Sequence, residues 1–568
     1  MRNDEIAGVL EEIADMLEMS GENFFRVRAY RNAARTITDY PAAIASLTRE
    51  QIDALPGIGA DLAEKIATLA AGGEVPLHAE LKRSFPAKLL ELRTLPGLGP
   101  KRIKLLHDRL KIASLKDLRR ALAAGQLRTI GGFGAKSEER LLKALENHRA
   151  DTAERRWPYV EAAAIARELI EWMTPAKELK EIAIAGSLRR GRETIGDIDL
   201  LAAAADAGAV MRRFLACDAI ERRLGAGETK ASVALRGGIQ VDLRVIPAES
   251  WGAALVYFTG SKDHGVHLRK LAQAAGLLLN EYGLFRGKRR VAGADERGVY
   301  QALGLHWIPP ELREDRGEVE AASGRGHLPH LITADDLRGD LHAHSNWTDG
   351  RATIEEMARG ARERGLEYFA LTDHSRRLAM AHGLDPARLR EQRREIERAA
   401  KHAGVTILRG IEVDILDDGA LDLPDGALAE LDWVVASVHS KLDQDERAMT
   451  RRMVRAIGNR NVDAIGHPSN RLIGQRPPSH FDLAEVLRAA HGEGCALEVN
   501  GQPDRLDLTD IDCLAAKRAG VKLIISSDAH HPHEFAGLAN GVMQARRGWI
   551  EPDDVLNTLP VKALLARR

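Results

Sequence analysis

The chain is short of cysteine, of net charge and of long apolar runs, and each shortage excludes a class of protein. Only three cysteines occur in 568 residues, so a disulfide framework is excluded and a reducing, cytoplasmic compartment is expected. The formal net charge of −1 gives no overall field that would attract nucleic acid, although acidic metal sites can cancel basic grooves in that sum. No apolar run could span a bilayer, and the first segment has an amphipathic helical pattern rather than that of a signal peptide.

The length and the changing periodicity predict several domains, because 568 residues are too many for one core. Helical periodicity dominates up to about Trp172, and short strand patterns such as "EIAIAGS" and "IQVDLRVI" follow. The polar segment "LREDRGEVEAASGRGHLPH" is typical of a linker. Beyond it, apolar runs alternate with helical patterns, which indicates βα units and a largely parallel sheet.

Three segments share an apolar-x-Gly-x-Gly pattern before a helix: "LPGIGADLAEKI", "LPGLGPKRIKLL" and "IGGFGAKSEERLL". The glycines permit a tight turn with exposed N–H groups, and the helix that follows adds its unpaired donors and positive dipole end. One copy would be consistent with an ordinary helical corner, but three favour binding of DNA backbone phosphates without base readout. The predicted DNA contacts are Gly57, Gly59, Gly97, Gly99, Gly132, Gly134 and Lys101.

The segments "AGSLRRG", "GDIDLL" and "VDLRV" predict a phosphoryl-transfer site. Asp197 and Asp199 are two apart on a strand and so point the same way, and Asp242 lies on another strand. Asp-x-Asp alone is common at turns and strand edges. With Gly-Ser before it and a third aspartate after it, the pattern predicts a nucleotidyltransferase whose two Mg²⁺ ions activate a hydroxyl and stabilise the leaving phosphate. Ser187 and Arg190 are predicted to hold the terminal phosphates.

These motifs, together with "YFTGS" and "LNEYGLF", resemble the X-family DNA polymerases, the group that contains polymerase beta. The resemblance implies a polymerase using Mg²⁺ or Mn²⁺ and deoxynucleoside triphosphates, with Asp242 as the base toward the primer 3′ hydroxyl. It also implies an ion pair between Arg189 and Glu281, and DNA contacts by Lys230 and Arg269. Gly265 stands where polymerase beta has a minor-groove asparagine, so one base-edge hydrogen bond is absent. The nucleotide pocket implied by the resemblance comprises Gly186, Ser187, Arg190, Gly191, Tyr257, Phe258 and Gly260.

The first segment also resembles the small lyase domain of that family, in which a lysine forms a Schiff base with the ring-opened sugar of an abasic site. Lys65 occupies the matching position, and Arg26, Arg28 and Arg31 would hold a 5′ phosphate. Asp61, one helical turn from Lys65, stands where a supporting lysine is usual and stabilises the charged, non-nucleophilic amine. A 5′-deoxyribose phosphate lyase and an ordinary solvated lysine therefore both stay open.

After the predicted linker, seven strand-like segments end almost without exception in a possible metal ligand: "GDLHAH", "YFALTDH", "LRGIEVD", "WVVASVH", "VDAIGH", "CALEVN" and "LIISSDAH". A barrel of parallel strands gathers such residues at its carboxyl-terminal rim. This recurrence disfavours scattered structural histidines. Mixed imidazole and carboxylate ligation suits manganese, zinc or iron better than magnesium or calcium.

This half resembles the PHP (polymerase and histidinol phosphatase) domains, and the whole chain resembles the bacterial X-family polymerases that carry one. The resemblance implies a distorted seven-stranded βα barrel with up to three Mn²⁺ or Zn²⁺ ions, which generate hydroxide and clamp a phosphate. The implied ligands are His342, His344, Glu412 and Asp528 for the first ion, Glu412, His439 and His467 for the second, and Asp349, His374 and His530 for the third. Arg471 and Arg476 are predicted to hold the substrate phosphates, and Asn500 to face the ligands or the substrate.

The expected fold class is multidomain, α+β and α/β, and the resemblance implies a monomer. The expected regions are a lyase-like domain at 1–84, a fingers-like helical region at 85–150, a palm at 151–247, a thumb at 248–315, a linker at 316–335 and a PHP barrel at 336–568.

The expected function is short-gap filling on gapped or nicked duplex DNA in base-excision repair. A 3′–5′ exonuclease, with possible 3′-phosphatase or abasic endonuclease action, would process the primer 3′ end. Two alternatives stay open: end processing in double-strand-break joining, and a non-catalytic DNA-end scaffold whose PHP part is a small-molecule phosphatase.

Overall fold

The computed structural model describes residues 3–38, 40, 44–85, 89, 92, 95, 98–130, 133–134, 138, 141, 156–324, 326–377 and 382–567. Contacts divide the chain into two compact units, 1–155 and 156–568. Cys217, Cys495 and Cys513 are all free. Within the described residues, no helix combines the length and the apolar character that crossing a bilayer requires.

The first unit is helical, and apolar faces of its amphipathic helices meet in one core that includes Ile6, Leu10 and Tyr30. Gly57 has a φ of +76°, and Gly59 caps the helix that follows it. Gly99 and Pro100 begin the second such helix, where proline fits because its missing N–H would have no partner in the first turn. The helices are α1 Asn3–Ser20, α2 Phe24–Thr38, α3 Arg49–Asp53, α4 Ala60–Ala70, α5 Pro76–Ser84, α6 Pro100–Leu110 and α7 Leu115–Ala123.

The second unit begins with a five-stranded mixed sheet in the order β2-β4-β7-β6-β5, in which β4 and β7 are parallel. Alternation along β4 sends Leu200 into a core with α8 and α10, while Leu201 packs with α11 on the other face. The elements are β1 Trp157–Pro158, α8 Tyr159–Met173, β2 Leu179–Ile184, α9 Gly186–Arg189, β3 Thr194–Ile195, β4 Asp197–Ala204, α10 Ala207–Leu215, β5 Ile220–Ala226, β6 Lys230–Leu235, β7 Gln240–Ile246 and α11 Trp251–Thr259.

A thumb-like layer follows, built from helices and a small antiparallel sheet in the order β10-β9-β8. Leu268, Leu284 and Tyr300 are fully buried in its core. Its elements are α12 Lys262–Ala274, β8 Leu278–Asn280, β9 Gly283–Arg286, β10 Arg289–Ala292 and α13 Glu296–Ala302.

The segment expected to be a solvated linker is packed in the structure. It contains α14 Glu318–Ala321, and Glu318 is buried, with its carboxylate 2.6 Å from Nδ1 of His264. Ile332 donates its backbone N–H to Ile550 O at 3.0 Å. Polar composition alone does not indicate exposure here, because the carboxylate of Glu318 also accepts hydrogen bonds from the backbone N–H groups of Asp315 and Arg316.

The rest of the chain forms a barrel of seven parallel strands paired in sequence order, and a bridge between Ala343 and Ala529 nearly closes it. This confirms the predicted βα barrel. Its elements are β11 Gly339–Ala343, α15 Ile354–Glu363, β12 Tyr368–Leu371, α16 Pro386–Ala403, β13 Thr406–Asp414, α17 Asp425–Leu428, β14 Trp433–Ser437, α18 Glu446–Ile457, β15 Ala464–Ile465, α19 Leu483–Glu493, β16 Ala496–Asn500, α20 Asp510–Arg518, β17 Leu523–Ser526, α21 Leu538–Arg547 and α22 Val561–Leu565.

Candidate active sites

Asp197, Asp199 and Asp242 meet on one face of the mixed sheet. Asp197 and Asp199 lie two residues apart on β4, so their side chains point to the same face. The parallel register places Asp199 directly opposite Asp242 on β7. Burial and the two neighbouring carboxylates raise the pKa of Asp199 to about 7, and burial and Asp242 raise the pKa of Asp197. The mutual repulsion of these carboxylates and the all-oxygen donor set fit Mg²⁺.

Asp242 has two polar neighbours in the sheet. Gln240 donates its side-chain N–H to Oδ1 at 3.0 Å, and Nζ of Lys230 lies 3.2 Å from Oδ2. Lys230, which the family resemblance assigns to the DNA backbone, therefore contacts a predicted metal ligand in this structure. Its side chain is about half exposed, so it can leave that contact without disturbing the core.

The turn after β2 brings the backbone of Gly186 close to the carboxylate of Asp199. Gly186 has a φ of +59°, and a Cβ built there would lie 2.1 Å from Oδ2 of Asp199. Gly186 begins α9, which has Ser187 in its first turn and Arg190 as the residue that caps its carboxyl end. Arg190 donates Nε to Glu314 at 3.0 Å and Nη1 to the carbonyl of Thr259 at 2.5 Å.

The predicted ion pair between Arg189 and Glu281 is wrong, because Arg189 pairs with Glu296 in the structure. Both terminal nitrogens of Arg189 donate to Glu296 at 2.8 Å, and Nη1 of the buried Arg313 donates to the same carboxylate at 2.7 Å. These partners overcome burial and lower the pKa of Glu296 to about 2. Glu296 therefore ties the palm to the thumb as an ionised group.

The predicted sugar pocket lies at the carboxyl end of α11. Tyr257 is 42% exposed, and its ring meets that of Phe258 edge-on, with the centroids 5.0 Å apart. The Arg269 guanidinium stands 5.8 Å over the Tyr257 ring, which places this predicted DNA contact beside the pocket. Gly260 has a φ of +70°, so the chain turns sharply there.

In the first unit, the predicted lyase nucleophile is held in an ion pair. Nζ of Lys65 contacts Oδ1 of Asp61 and donates to the Asp61 carbonyl at 3.3 Å. Arg26 pairs with Glu22 at 2.8 Å. Gly57, Gly59, Gly99 and Gly134 are described, with Lys101 exposed in the first turn of α6, whereas Gly97 and Gly132 lie outside the described residues.

The ends of the barrel strands converge at one rim and bring all nine predicted PHP ligands together. Within this rim, three groups have one ligand atom per residue within 4.8 Å of one another. They are His342, His344 and Asp528, then His374, Glu412 and His439, then His344, Asp349, His374 and His530. His467 joins through Nε2, which lies 3.0 Å from Oε1 of Glu412.

The donors of this rim fit transition metals. Imidazole and carboxylate groups are mixed in each of the three clusters, a donor set that suits transition metals. Nε2 of His342, Nδ1 of His344 and Nδ1 of His467 are buried without a hydrogen-bond partner within the described part of the chain. His467 and Asp528 adopt positive φ angles of 26° and 52°, a strained conformation that is retained mainly at functional sites.

Two buried carboxylates that the sequence analysis did not single out orient the histidines. Glu498 on β16 accepts from Nδ1 of His342 at 2.7 Å, and Asp414 on β13 accepts from Nδ1 of His439 at 3.0 Å. Such partners fix the tautomer of a metal-binding imidazole. Both carboxylates lie two residues from a predicted site residue on the same strand face, and this spacing was the available signal.

Asn500 lies beside these groups as a hydrogen-bond donor to a ligand. Its Nδ2 donates to Oδ2 of Asp528 at 3.1 Å and to Glu498 at 3.3 Å. Its side chain therefore positions Asp528 in this structure.

Three arginines lie near the rim and differ in burial and in hydrogen-bond partners. Arg471 is buried, and its Nη2 donates to Glu193 of the palm at 2.7 Å. Arg476 donates Nε to the Asn470 carbonyl at 2.9 Å. Arg505, which the sequence analysis did not identify, has Nε 3.9 Å from Oδ2 of Asp528 and a buried Nη1 without a hydrogen bond to any described residue.

Comparisons with known protein families match four regions of the chain. Family models match as a helix-hairpin-helix domain at residues 1–75, a helix-hairpin-helix tandem at 89–147, the DNA polymerase beta thumb at 254–314 and the PHP domain at 340–502.

Full-length similarity is found with a bacterial protein. The DNA polymerase/3′-5′ exonuclease PolX of Bacillus subtilis strain 168 is 37% identical, over 99% of this chain and 98% of that protein. A probable phosphatase of Thermoanaerobacter sp. strain X514 is 35% identical over 39% of this chain and 89% of its own length. Another from Vibrio campbellii is 30% identical over 36% of this chain and 82% of its own length. With similarity to PolX along its whole length, the chain belongs to the family X DNA polymerases that carry a PHP domain.

Proposed function

We propose that this chain is a DNA-directed DNA polymerase that fills short gaps in base-excision repair, and that its PHP barrel is a metal-dependent 3′–5′ exonuclease. One observation carries the proposal: two separate clusters of candidate metal ligands lie in the same compact unit. One set is purely carboxylate and the other is rich in histidine. The printed name of the B. subtilis relative joins the same two activities.

In the polymerase site, the three aspartates would hold Mg²⁺ or Mn²⁺, which stabilises charge on the reacting phosphates when bound. Asp242 is assigned to take the proton of the primer 3′ hydroxyl once Lys230 has left it. Arg190 and the backbone of the turn at Gly186 and Ser187 would bind the triphosphate. The exposed ring of Tyr257 would pack against the sugar.

In the barrel, the nine rim residues would hold up to three Mn²⁺ or Zn²⁺ ions, which supply a nucleophilic hydroxide when bound. Glu498 and Asp414 keep the histidines oriented for that purpose. Arg505 and Arg471 each have a buried nitrogen without a hydrogen bond to a described residue, Nη1 and Nε respectively. Arg505 is the better placed of these two to grip a substrate phosphate, because its Nε lies 3.9 Å from Oδ2 of the predicted ligand Asp528 and no carboxylate of the described palm residues pairs with it. Arg471 is engaged by Glu193, so a contact with substrate would require that ion pair to open.

The decisive experiment separates the two activities on one substrate, a primer annealed across a short gap. Asp199→Asn should abolish extension and preserve degradation, whereas His344→Ala should do the reverse. Asp218→Asn and His402→Ala change exposed residues of the same types and should alter neither activity. Loss of both activities in either active-site variant, with the fold retained, would contradict the assignment of one reaction to each site.

Substrate preference tests the repair assignment and its competitor. Gap filling predicts a higher kcat/KM on a gapped duplex with a downstream 5′ phosphate than on two annealed overhangs. The opposite preference would favour end processing in double-strand-break joining.

A second candidate activity is hydrolysis of a 3′ phosphomonoester, which the similarity of the barrel to probable phosphatases favours. A primer carrying a 3′ phosphate would be unblocked by the wild-type protein and would stay blocked with His344→Ala. Histidinol phosphate in the same assay distinguishes a DNA-end enzyme from a small-molecule phosphatase.

A further inference from the structure

The turn that follows α9 in the palm packs directly against the PHP barrel. A Cβ at Gly191 would lie 2.4 Å from Sδ of Met543 on α21, so glycine allows close approach of the two parts. Two residues later, Glu193 pairs with Arg471 of the barrel at 2.7 Å. This triphosphate-binding turn, residues 190–193 with the proposed ligand Arg190, is therefore packed against the barrel.

Arg547, the last residue of α21, reaches from the barrel into this turn. Its Nη1 donates to the carbonyl of Arg190 at 2.7 Å and lies 3.1 Å from Oε1 of Glu314, while Nη2 donates to Asp510 at 2.7 Å. Arg316 donates to the same oxygen of Asp510 at 2.9 Å. With only 3% of its surface exposed, Arg547 is fixed by acceptors on three segments of the chain.

Glu314 is the shared partner of Arg547 and Arg190. Oε1 of Glu314 accepts from Nε of Arg190 at 3.0 Å as well as from Arg547. Burial raises the pKa of Glu314, but Arg547, and after it Arg190 and Arg192, outweigh burial and bring it to about 2. The ionised carboxylate thus divides its attraction between an arginine of the barrel and an arginine of the polymerase site.

We propose that Arg547 is a positioning residue for nucleotide binding, which holds Glu314 and the carbonyl of residue 190 so that Arg190 stays available to the incoming triphosphate. This rests on the proposed role of Arg190 as a triphosphate ligand. Glu314 already accepts from Arg190 at 3.0 Å and from Arg547 at 3.1 Å. Without Arg547, its attraction falls more heavily on Arg190 and competes with the triphosphate for that guanidinium. The turn also loses the hydrogen bond that anchors its backbone.

Arg546 provides a matched control on the same helix. It crosses the same boundary, donating Nε to Glu311 at 2.8 Å and Nη1 to the carbonyl of Ile332 at 2.8 Å. Its contacts do not include Arg190 or Glu314. Arg546→Met therefore removes an equivalent ion pair without acting on the triphosphate-binding turn.

Steady-state gap filling with a single deoxynucleotide tests the proposal. Arg547→Met should raise KM for the nucleotide by about tenfold, the effect of losing one charge-assisted hydrogen bond, and should change kcat much less. Arg546→Met should leave KM unchanged. Exonuclease activity and the melting temperature of each variant report whether the fold is retained.

A second substitution distinguishes a role in positioning Arg190 from a general role in stabilising the fold. Adding Glu314→Gln to Arg547→Met removes the competing charge, so KM should return toward that of the wild type. Arg547→Lys keeps the charge but cannot reach all three acceptors, and should give an intermediate KM. If Arg547→Met fails to fold, this lysine variant alone carries the test.

Three results would overturn the proposal: an unchanged KM in a folded Arg547→Met protein, an equal rise in Arg546→Met, or a further rise when Glu314→Gln is added. An unchanged KM in Arg190→Met means something different. It would remove the proposed triphosphate contact itself, whatever Arg547 does.

Discussion

Replacing Gly186 by alanine should remove most polymerase activity and leave the exonuclease intact. The new Cβ would lie 2.1 Å from Oδ2 and 3.2 Å from Cβ of Asp199, whereas carbon atoms in contact are about 3.5 Å apart or more. The Asp199 carboxylate therefore has to retreat by roughly 1 Å, and a displacement of that size at a catalytic group costs about a hundredfold in rate. The φ of +59° adds about 1–2 kcal/mol of backbone strain.

Two other glycines of the palm, Gly238 in the turn between β6 and β7 and Gly225 on β5, separate the effect of backbone strain from that of displacing Asp199. Gly238 has a φ of +100°, and no described atom lies within 4 Å of the point that an alanine Cβ would occupy, so Gly238→Ala carries the strain alone. Gly225 on β5 has neither strain nor a close neighbour there. Primer extension under single-turnover conditions should lose about two orders of magnitude in Gly186→Ala and stay near wild type in both controls. Near-normal extension by Gly186→Ala, or an equal loss in Gly238→Ala, would refute the reasoning.

Other parts of the chain give four further expectations. Glu296→Gln should lower the free energy of unfolding by roughly 3 kcal/mol at pH 7. Because the pKa of Glu296 in the folded protein is about 2 against an ordinary 4.5, the wild type should lose that stability as the pH falls from about 4.5 toward 2. Denaturant melts of the two proteins that superimpose at pH 7 would contradict this. Glu498→Gln should weaken metal binding about 10- to 100-fold, measured as metal retained per chain after dialysis, and full retention would exclude the orienting role. Arg505→Met should raise the exonuclease KM at unchanged metal content; an unchanged KM would remove it from the substrate contacts. Asp61→Ala should increase borohydride trapping on incised abasic DNA by freeing Lys65, and absence of trapping in both proteins would exclude lyase chemistry at that residue.

The shared face of Asp197 and Asp199 could be predicted because strand periodicity places alternate residues on one side of a sheet. That rule needs only the order of residues along one strand, whereas the position of Asp242 opposite Asp199 depends on the pairing of β4 with β7. The partner of Arg189 could not be predicted in this way, since Glu296 is 107 residues away and belongs to a helix of the thumb. Pairing across that distance depends on how α11 and α13 pack on the sheet, which no local pattern contains.

The rim of the barrel was predictable for a similar reason. Parallel strands carry their carboxyl ends to one side, so ligands that follow successive strands must meet. The buried supports were less visible, because Glu498 stands within an otherwise apolar strand as a single acid. Contacts between the barrel and the palm could not be predicted from the sequence. The position of Arg471 after His467 indicates a phosphate contact, but its burial against Glu193 depends on how the barrel packs on the palm.

The boundary between the barrel and the polymerase part favours one arrangement over a loose tether. Among the described residues, four ion pairs cross it: Glu193 with Arg471, Glu314 with Arg547, Glu311 with Arg546, and Arg316 with Asp510. Buried ion pairs add little net stability, because desolvation offsets their attraction, yet leaving one charge unpaired costs about 3–5 kcal/mol. A rotation that broke these contacts while the side chains stayed shielded from water would incur that cost several times over. We therefore expect the barrel to keep its packing on the palm, so that a primer end passing from one site to the other has to leave the palm.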